Sequence, residues 1–199
     1  MHISEGVLKP EILIYGVVAT TIMISYSLKK LKNEEIPLVA VFSALFFLAS
    51  FIHIPIGPVS IHLILNGIIG ALLGIRASIS IFIALLLQGL LFGYGGISTL
   101  GINTFNLAIP ALLGCVILSL HINNKLVMKI QYFLVGFVPV FMSSIFLSIT
   151  LTFNGESFLN AAKISFLAYI PIMLIEGITT MFIIIFLKKV YPQILNNLK

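Results

Sequence analysis

Seven apolar runs, broken only by short polar stretches, make up most of this chain, and they decide which solvent it can fold in. They lie at about 11–28, 37–55, 61–75, 77–94, 104–120, 127–151 and 164–187. A segment crossing the hydrocarbon of a bilayer needs roughly 20 apolar residues, fewer when it is buried among other helices. Soluble domains carry close to a quarter charged residues; here 9% of 199 residues are charged and 60% are hydrophobic. The expectation is an all-α integral membrane protein of seven transmembrane helices, a single domain over residues 1–199, multi-pass in a cell inner or plasma membrane. The third run is short, so a six-span reading with 61–75 re-entrant stands beside it until charge is weighed.

Charge favours the odd number. Lys and Arg concentrate on the cytoplasmic side of membrane proteins. With the N-terminus outside, the inner loops collect Lys29, Lys30, Lys32, Arg76, Lys125, Lys129, Lys188, Lys189 and Lys199, and the outer side holds only Lys9 and Lys163. An odd count of spans keeps the basic C-terminus inside. The net charge of +5 therefore reads as topology and not as nucleic-acid binding. A secretory signal needs a basic start and a small-residue cleavage site. Before Glu11 there is only Lys9, set against Glu5, so the N-terminal stretch is expected to stay on the mature protein. The single Cys115 excludes an internal disulfide and a multi-cysteine metal centre.

This topology puts His2, His53 and His62 at the outer face and His121 at the inner one. The chain opens "MHISEG", which sets an imidazole one peptide bond from the terminal amine. The Met1 nitrogen, the backbone nitrogen of His2 and its Nδ1 can bind one ion together, closing a five-membered and then a six-membered ring. Both rings favour donors in one plane, and square-planar nitrogen sites suit Ni(II) or Cu(II), whereas zinc prefers a tetrahedron. His62 or His53 can supply the fourth nitrogen. His62 opens the third run, a helix with small residues at Gly67, Gly70, Ala71 and Gly74, positions that let neighbouring helices come close.

Glu176 lies deep in the last run, where an ionisable group is costly and must face protein or water. It can neutralise a cation, relay protons or lock helix packing. An autonomous cation channel or carrier built on Glu176 is the competing functional reading. Asn66 and Gln88 are expected to hydrogen-bond between helices. The stretch "GYGGISTLGINTFN" from Gly93 to Asn106 lacks the Gly-Lys-Ser/Thr ending of a phosphate loop. With Asn103 and Asn106 it reads as a close-packed loop over an outer site. No Walker motif and no Ser-His or paired-carboxylate arrangement is present, so neither ATP hydrolysis by that route nor a membrane enzyme is expected.

Across nearly its whole length the chain resembles the substrate-binding (S) components of energy-coupling factor (ECF) cobalt/nickel transporters, the CbiM/NikM family. The resemblance rests on "MHISEG", "SIHLILNG", "GGISTLGINTFNLAIP" and "IEG". It implies seven helices with the N-terminal segment inserted toward the core. It also implies a transported Ni(II) or Co(II), and no resident cofactor, held by the Met1 amine, the His2 amide and imidazole, and His62. His53 is then not a ligand, and with Asn66, Gln88, Asn103, Asn106 and Glu176 it becomes a candidate for supporting or packing around the site. The implied partners are a transmembrane coupling (T) component, cytoplasmic ATPase subunits and a small accessory membrane subunit, with no nucleic acid. After His62 the chain reads Leu63-Ile64-Leu65-Asn66-Gly67, where cobalt-type members often read P-T-G-x-G, so the resemblance leaves cobalt against nickel open.

Overall fold

The computed structural model describes residues 2–51, 53–56, 58–191 and 193. Among them the chain is mostly helical. Seven α-helices run in order: α1 (Pro10–Lys30), α2 (Ile36–Ala49), α3 (Asn66–Leu73), α4 (Ala77–Phe92), α5 (Leu100–Ser119), α6 (Lys125–Phe153) and α7 (Leu159–Val190). Five segments are long and apolar enough to cross a membrane: α1, α5, α6, a segment Glu156–Val190 that contains α7, and the 27-residue run Asn66–Phe92 that holds both α3 and α4. The prolines inside α5, α6 and α7 (Pro110, Pro139 and Pro171) are tolerated because neighbouring helices can satisfy the freed backbone groups.

The second and third apolar runs differ from the all-helical expectation. Helix α2 stops at Ala49 after 14 residues, and α3 has only eight, on the order of 12 Å of helix. Between them lie strands β2 (His53–Ile56) and β3 (Val59–His62), which pair antiparallel in a hairpin. The cause is local chemistry in "HIPIGPVSIH". Its two prolines cannot donate to a helix, glycine weakens one further, and the β-branched residues around them suit a strand. Strand β1 (His2–Ile3) adds to the other edge of β3, giving a three-stranded sheet in the order β1-β3-β2. His2 sits opposite Ser60 and Ile3 opposite Val59; His53 sits opposite His62.

Helix α3 runs from this sheet through the centre of the molecule, and all eight of its residues are buried. It fits there because its glycines meet backbone. A Cβ on Gly67 would run into the Val135 carbonyl of α6, and one on Gly70 into the Ala111 carbonyl of α5. Gly114 of α5 faces the Gly67 carbonyl in the same way. The chain turns back at Gly74–Arg76 into α4, and this turn is tied to the far end of α1 by Ser27 Oγ donating to the Ile75 carbonyl at 3.0 Å. There Arg76 pairs with Glu35 at 2.7 Å. Lys29 and Lys30 close α1 and Lys188 and Lys189 close α7 at this same end, opposite the sheet.

Candidate metal site

His2 and His62 meet because of the strand register. His2 faces Ser60 across β1 and β3, so His62, two residues further along, is its diagonal neighbour on the same face, within reach of a long side chain. The ring centroids are 5.1 Å apart, and Nδ1 of His2 faces Nε2 of His62 at 3.4 Å. The other ring nitrogen of His62, Nδ1, lies 2.6 Å from the Leu63 carbonyl oxygen. A carbonyl can only accept, so Nδ1 carries a proton, and in the neutral ring Nε2 then presents its lone pair toward His2. His2 is fully buried and His62 is 2% exposed.

Four elements enclose the pair. The Phe46 ring of α2 meets His62 edge-on at 6.2 Å, and Tyr94 stacks on His2 at 6.2 Å. Asn103 of α5 holds β1 from the side away from β3: its Oδ1 accepts the Ile3 N–H at 2.8 Å, and its Nδ2 donates to the Ile3 carbonyl at 3.0 Å. The glycine-rich segment 93–99 closes over the top. Gly95, at φ +79°, a conformation that suits glycine, lies against His2 and Asn103, and at Gly96 any Cβ would collide with the Glu5 carboxyl group. Glu5 in turn accepts the Ser98 N–H at 3.1 Å. Asn154, at the end of α6, fixes the lead into α1 by accepting from the Lys9 N–H at 2.8 Å and donating to the Val7 carbonyl at 2.9 Å.

Of the other residues singled out from the sequence, Met1 lies outside the described residues. His53 sits on the central strand's other neighbour, β2, in register with His62. Asn66 opens α3 and donates to the Leu107 carbonyl at 3.1 Å and to Ser143 Oγ at 2.9 Å, joining α3 to α5 and α6. Asn106 donates to Thr150 Oγ at 3.1 Å, a link between α5 and α6. The interhelical hydrogen bond expected of Gln88 is not made: its amide is buried with no partner among the described residues, and its backbone carbonyl instead caps the end of α4 through the Gly93 and Tyr94 N–H groups. Glu176 is fully buried and accepts from the Ile64 and Leu65 backbone N–H groups, just past His62. His121 is exposed, apart from the site. Sequence reasoning missed Glu5, Tyr94, Phe46 and Asn154. Glu5 carried a signal as the acid in "MHISEG", and Tyr94 lay in the glycine-rich stretch read as covering the site.

Among the described residues no three His, Cys, Asp or Glu side chains converge as a ready metal cluster. What converges is two imidazole nitrogens beside the backbone of the N-terminal segment, out of contact with solvent. Such a set can hold a borderline-soft divalent ion if backbone or amine nitrogens complete it.

Residues 2–194 match the family described as the cobalt uptake substrate-specific transmembrane region. A Haemophilus influenzae protein named for metal transport is 35% identical over 201 residues, spanning 99% of this chain and 98% of its own length. The fused nickel transport protein NikMN of Rhodobacter capsulatus is 36% identical over 115 residues, 55% of this chain and 33% of its own. A crystal structure of a transition metal transporter superposes with a TM-score of 0.78 at 29% identity, covering 96% of this chain and 93% of the other.

Proposed function

The chain belongs to the family of cobalt-uptake substrate-specific transmembrane proteins, and from that premise we propose that it captures Ni(II) or Co(II) at the sheet-bearing end of the bundle and passes it to ATP-driven ECF partners. The observation that carries this reading is the buried imidazole pair, with Nδ1 of His2 set 3.4 Å from Nε2 of His62 and the tautomer of His62 fixed by Leu63. Adjacent corners of a square with metal–nitrogen bonds of about 2.0 Å lie roughly 2.8 Å apart. A shift of about half an ångström therefore turns this pair into neighbouring donors. Where Met1 carries the free amine, that amine and the His2 amide nitrogen complete the plane through the two fused rings.

The basic residues gathered opposite the sheet support an outward-facing site and a cytoplasmic C-terminus across seven crossings. The chain has no Walker motif. Energy then comes from cytoplasmic ATPase subunits acting through a T component, with a small accessory membrane subunit completing the assembly. Both Glu176 oxygens are engaged by backbone donors, so nothing in its setting favours an autonomous channel through that residue.

His2→Ala and His62→Ala should each weaken nickel binding to purified protein by at least about a hundredfold, the loss of a direct ligand exceeding the tenfold to hundredfold cost of an outer partner. Binding like the parent in both variants overturns the site. Residues fused ahead of Met1 should abolish binding as well. Calorimetry in buffers of different ionisation heat should show protons released, because the amine and the amide must lose theirs to coordinate. Affinity accordingly rises with pH, by about tenfold per pH unit for each proton released, and less steeply above the ordinary amine range of about 7.7–8.0. Binding without proton release would remove both nitrogens from the donor set.

A further inference from the structure

The buried Glu176 is the strongest ionisable group that the proposed ligand set leaves unused, and its contacts follow a line back to the metal site. Nδ1 of His62 donates to the Leu63 carbonyl at 2.6 Å. The N–H on the other side of that same peptide bond, belonging to Ile64, donates to Glu176 Oε1. The next N–H, on Leu65, donates to both carboxyl oxygens, at 2.9 and 3.1 Å. One planar peptide unit is thus held between the imidazole of His62 and the carboxyl group of Glu176. In a trans peptide the carbonyl and the N–H point in opposite directions, so the three groups lie in series.

Backbone conformation argues the same way. Leu65 has φ +55° and is the one non-glycine residue at positive φ among the described residues. A left-handed leucine costs energy and persists only where its surroundings hold it. Here the turn leads directly from the ligand-bearing strand β3 into α3, and the group holding both of its N–H donors comes from α7, more than a hundred residues away in the chain. Were Glu176 only a packing group, any hydrogen-bonding partner in the sequence would serve. Instead it grips the two amides that follow the His62–Leu63 bond.

We propose that Glu176 is the positioning residue of the metal site: its carboxyl group, acting through the 63–64 peptide, orients the His62 ring and strengthens Nε2 as a donor to nickel or cobalt. This rests on the reading of His62 as a ligand. The physical basis is the familiar one of a metal-bound imidazole whose other N–H goes to a carboxylate or carbonyl, which sets the ring angle and raises ligand basicity. In this chain the two partners act in tandem, because the carbonyl that accepts from His62 is itself polarised by the hydrogen bond on its own N–H.

The test uses the full chain with its native N-terminus in detergent, with Ni(II) as the probe. Glu176→Gln keeps the shape and one acceptor oxygen but places an amide NH2, a donor, where the second oxygen stood. It should lower nickel affinity by about tenfold to a hundredfold and move the nickel d–d absorption band to longer wavelength, as a weaker imidazole donor narrows the ligand-field splitting. Glu176→Asp keeps both oxygens on a side chain one methylene shorter, and should fall between the parent and Glu176→Gln on both measures. In a His62→Ala background, Glu176→Gln should cause no further loss. Parent-like affinity with an unmoved band in Glu176→Gln would overturn the proposal, and so would an Asp variant that binds worse than the Gln variant. If instead His62→Ala itself binds like the parent, the ligand assignment has failed, a result separable from the failure of Glu176 alone.

Discussion

At the scale of single residues, the site depends on how a two-residue strand is kept in place. Strand β1 has β3 on one side, and on the other the side chain of Asn103, whose amide accepts from and donates to Ile3 as a neighbouring strand would. Asn103→Leu preserves bulk but leaves the Ile3 N–H and carbonyl buried without their partner, at about 1–3 kcal/mol for each group. Nickel affinity should therefore drop at least about tenfold alongside a lower thermal midpoint in detergent, the energy being lost from the segment that carries His2. Asn106→Leu breaks only a link between α5 and α6; it should lower the midpoint while leaving affinity within about threefold. Equal effects of the two variants on affinity would mean that β1 needs no such anchor. The sequence marked both asparagines as polar groups in a glycine-rich stretch, and it could not separate their roles. An amide pairs with whatever the fold brings to it, and Ile3 is a hundred residues from Asn103.

At the scale of elements, the segment 93–99 works as a cover. His2 is fully buried beneath it, so an ion bound as proposed would reach the imidazoles through a movement of this segment or of the N-terminal one. The Glu5 carboxyl group, accepting from Ser98 and filling the space that a Cβ on Gly96 would need, joins the two alongside the Tyr94–His2 ring contact. An exposed hydrogen bond of this kind contributes about 0.5–1.5 kcal/mol. Glu5→Ala should thus speed the release of bound nickel to a chelator by roughly twofold to tenfold. Gly96→Ala should do the same by forcing the carboxyl group aside. A release rate unchanged in both variants would show that the ion leaves by another route. The glycine-rich composition announced a close-packed loop, but which acid it packs against follows only from the tertiary fold. The hairpin in "HIPIGPVSIH" was legible in its prolines and β-branched residues, yet apolar length pointed to membrane helices there. Hydropathy does not distinguish a buried strand from a buried helix when the run is short.

At the scale of the whole molecule, the apolar runs led correctly to a multi-pass membrane protein, and the basic residues led to a two-ended one. The described loops let the orientation be read directly. In a Cys115→Ser background, Ser157→Cys sits exposed between α6 and α7 at the sheet-bearing end, and Asn123→Cys sits exposed between α5 and α6 at the opposite end. A membrane-impermeant maleimide should label the first in intact cells and the second only after permeabilisation; the reverse pattern would invert the topology. The same architecture argues against transport by this chain alone. Directly beyond His62 the centre of the bundle is filled by α3, buried along its whole length and packed backbone to backbone against α5 and α6 through Gly67, Gly70 and Gly114. Interiors packed this closely shift between discrete arrangements and do not stretch to admit an ion, which is the basis for expecting passage only with the partners proposed above. Liposomes containing only this protein should take up nickel no faster than protein-free liposomes, and uptake should appear with the T component, the ATPase subunits and ATP. Uptake by the isolated chain, independent of ATP and retained in His2→Ala, would place the path elsewhere and return the central role to Glu176.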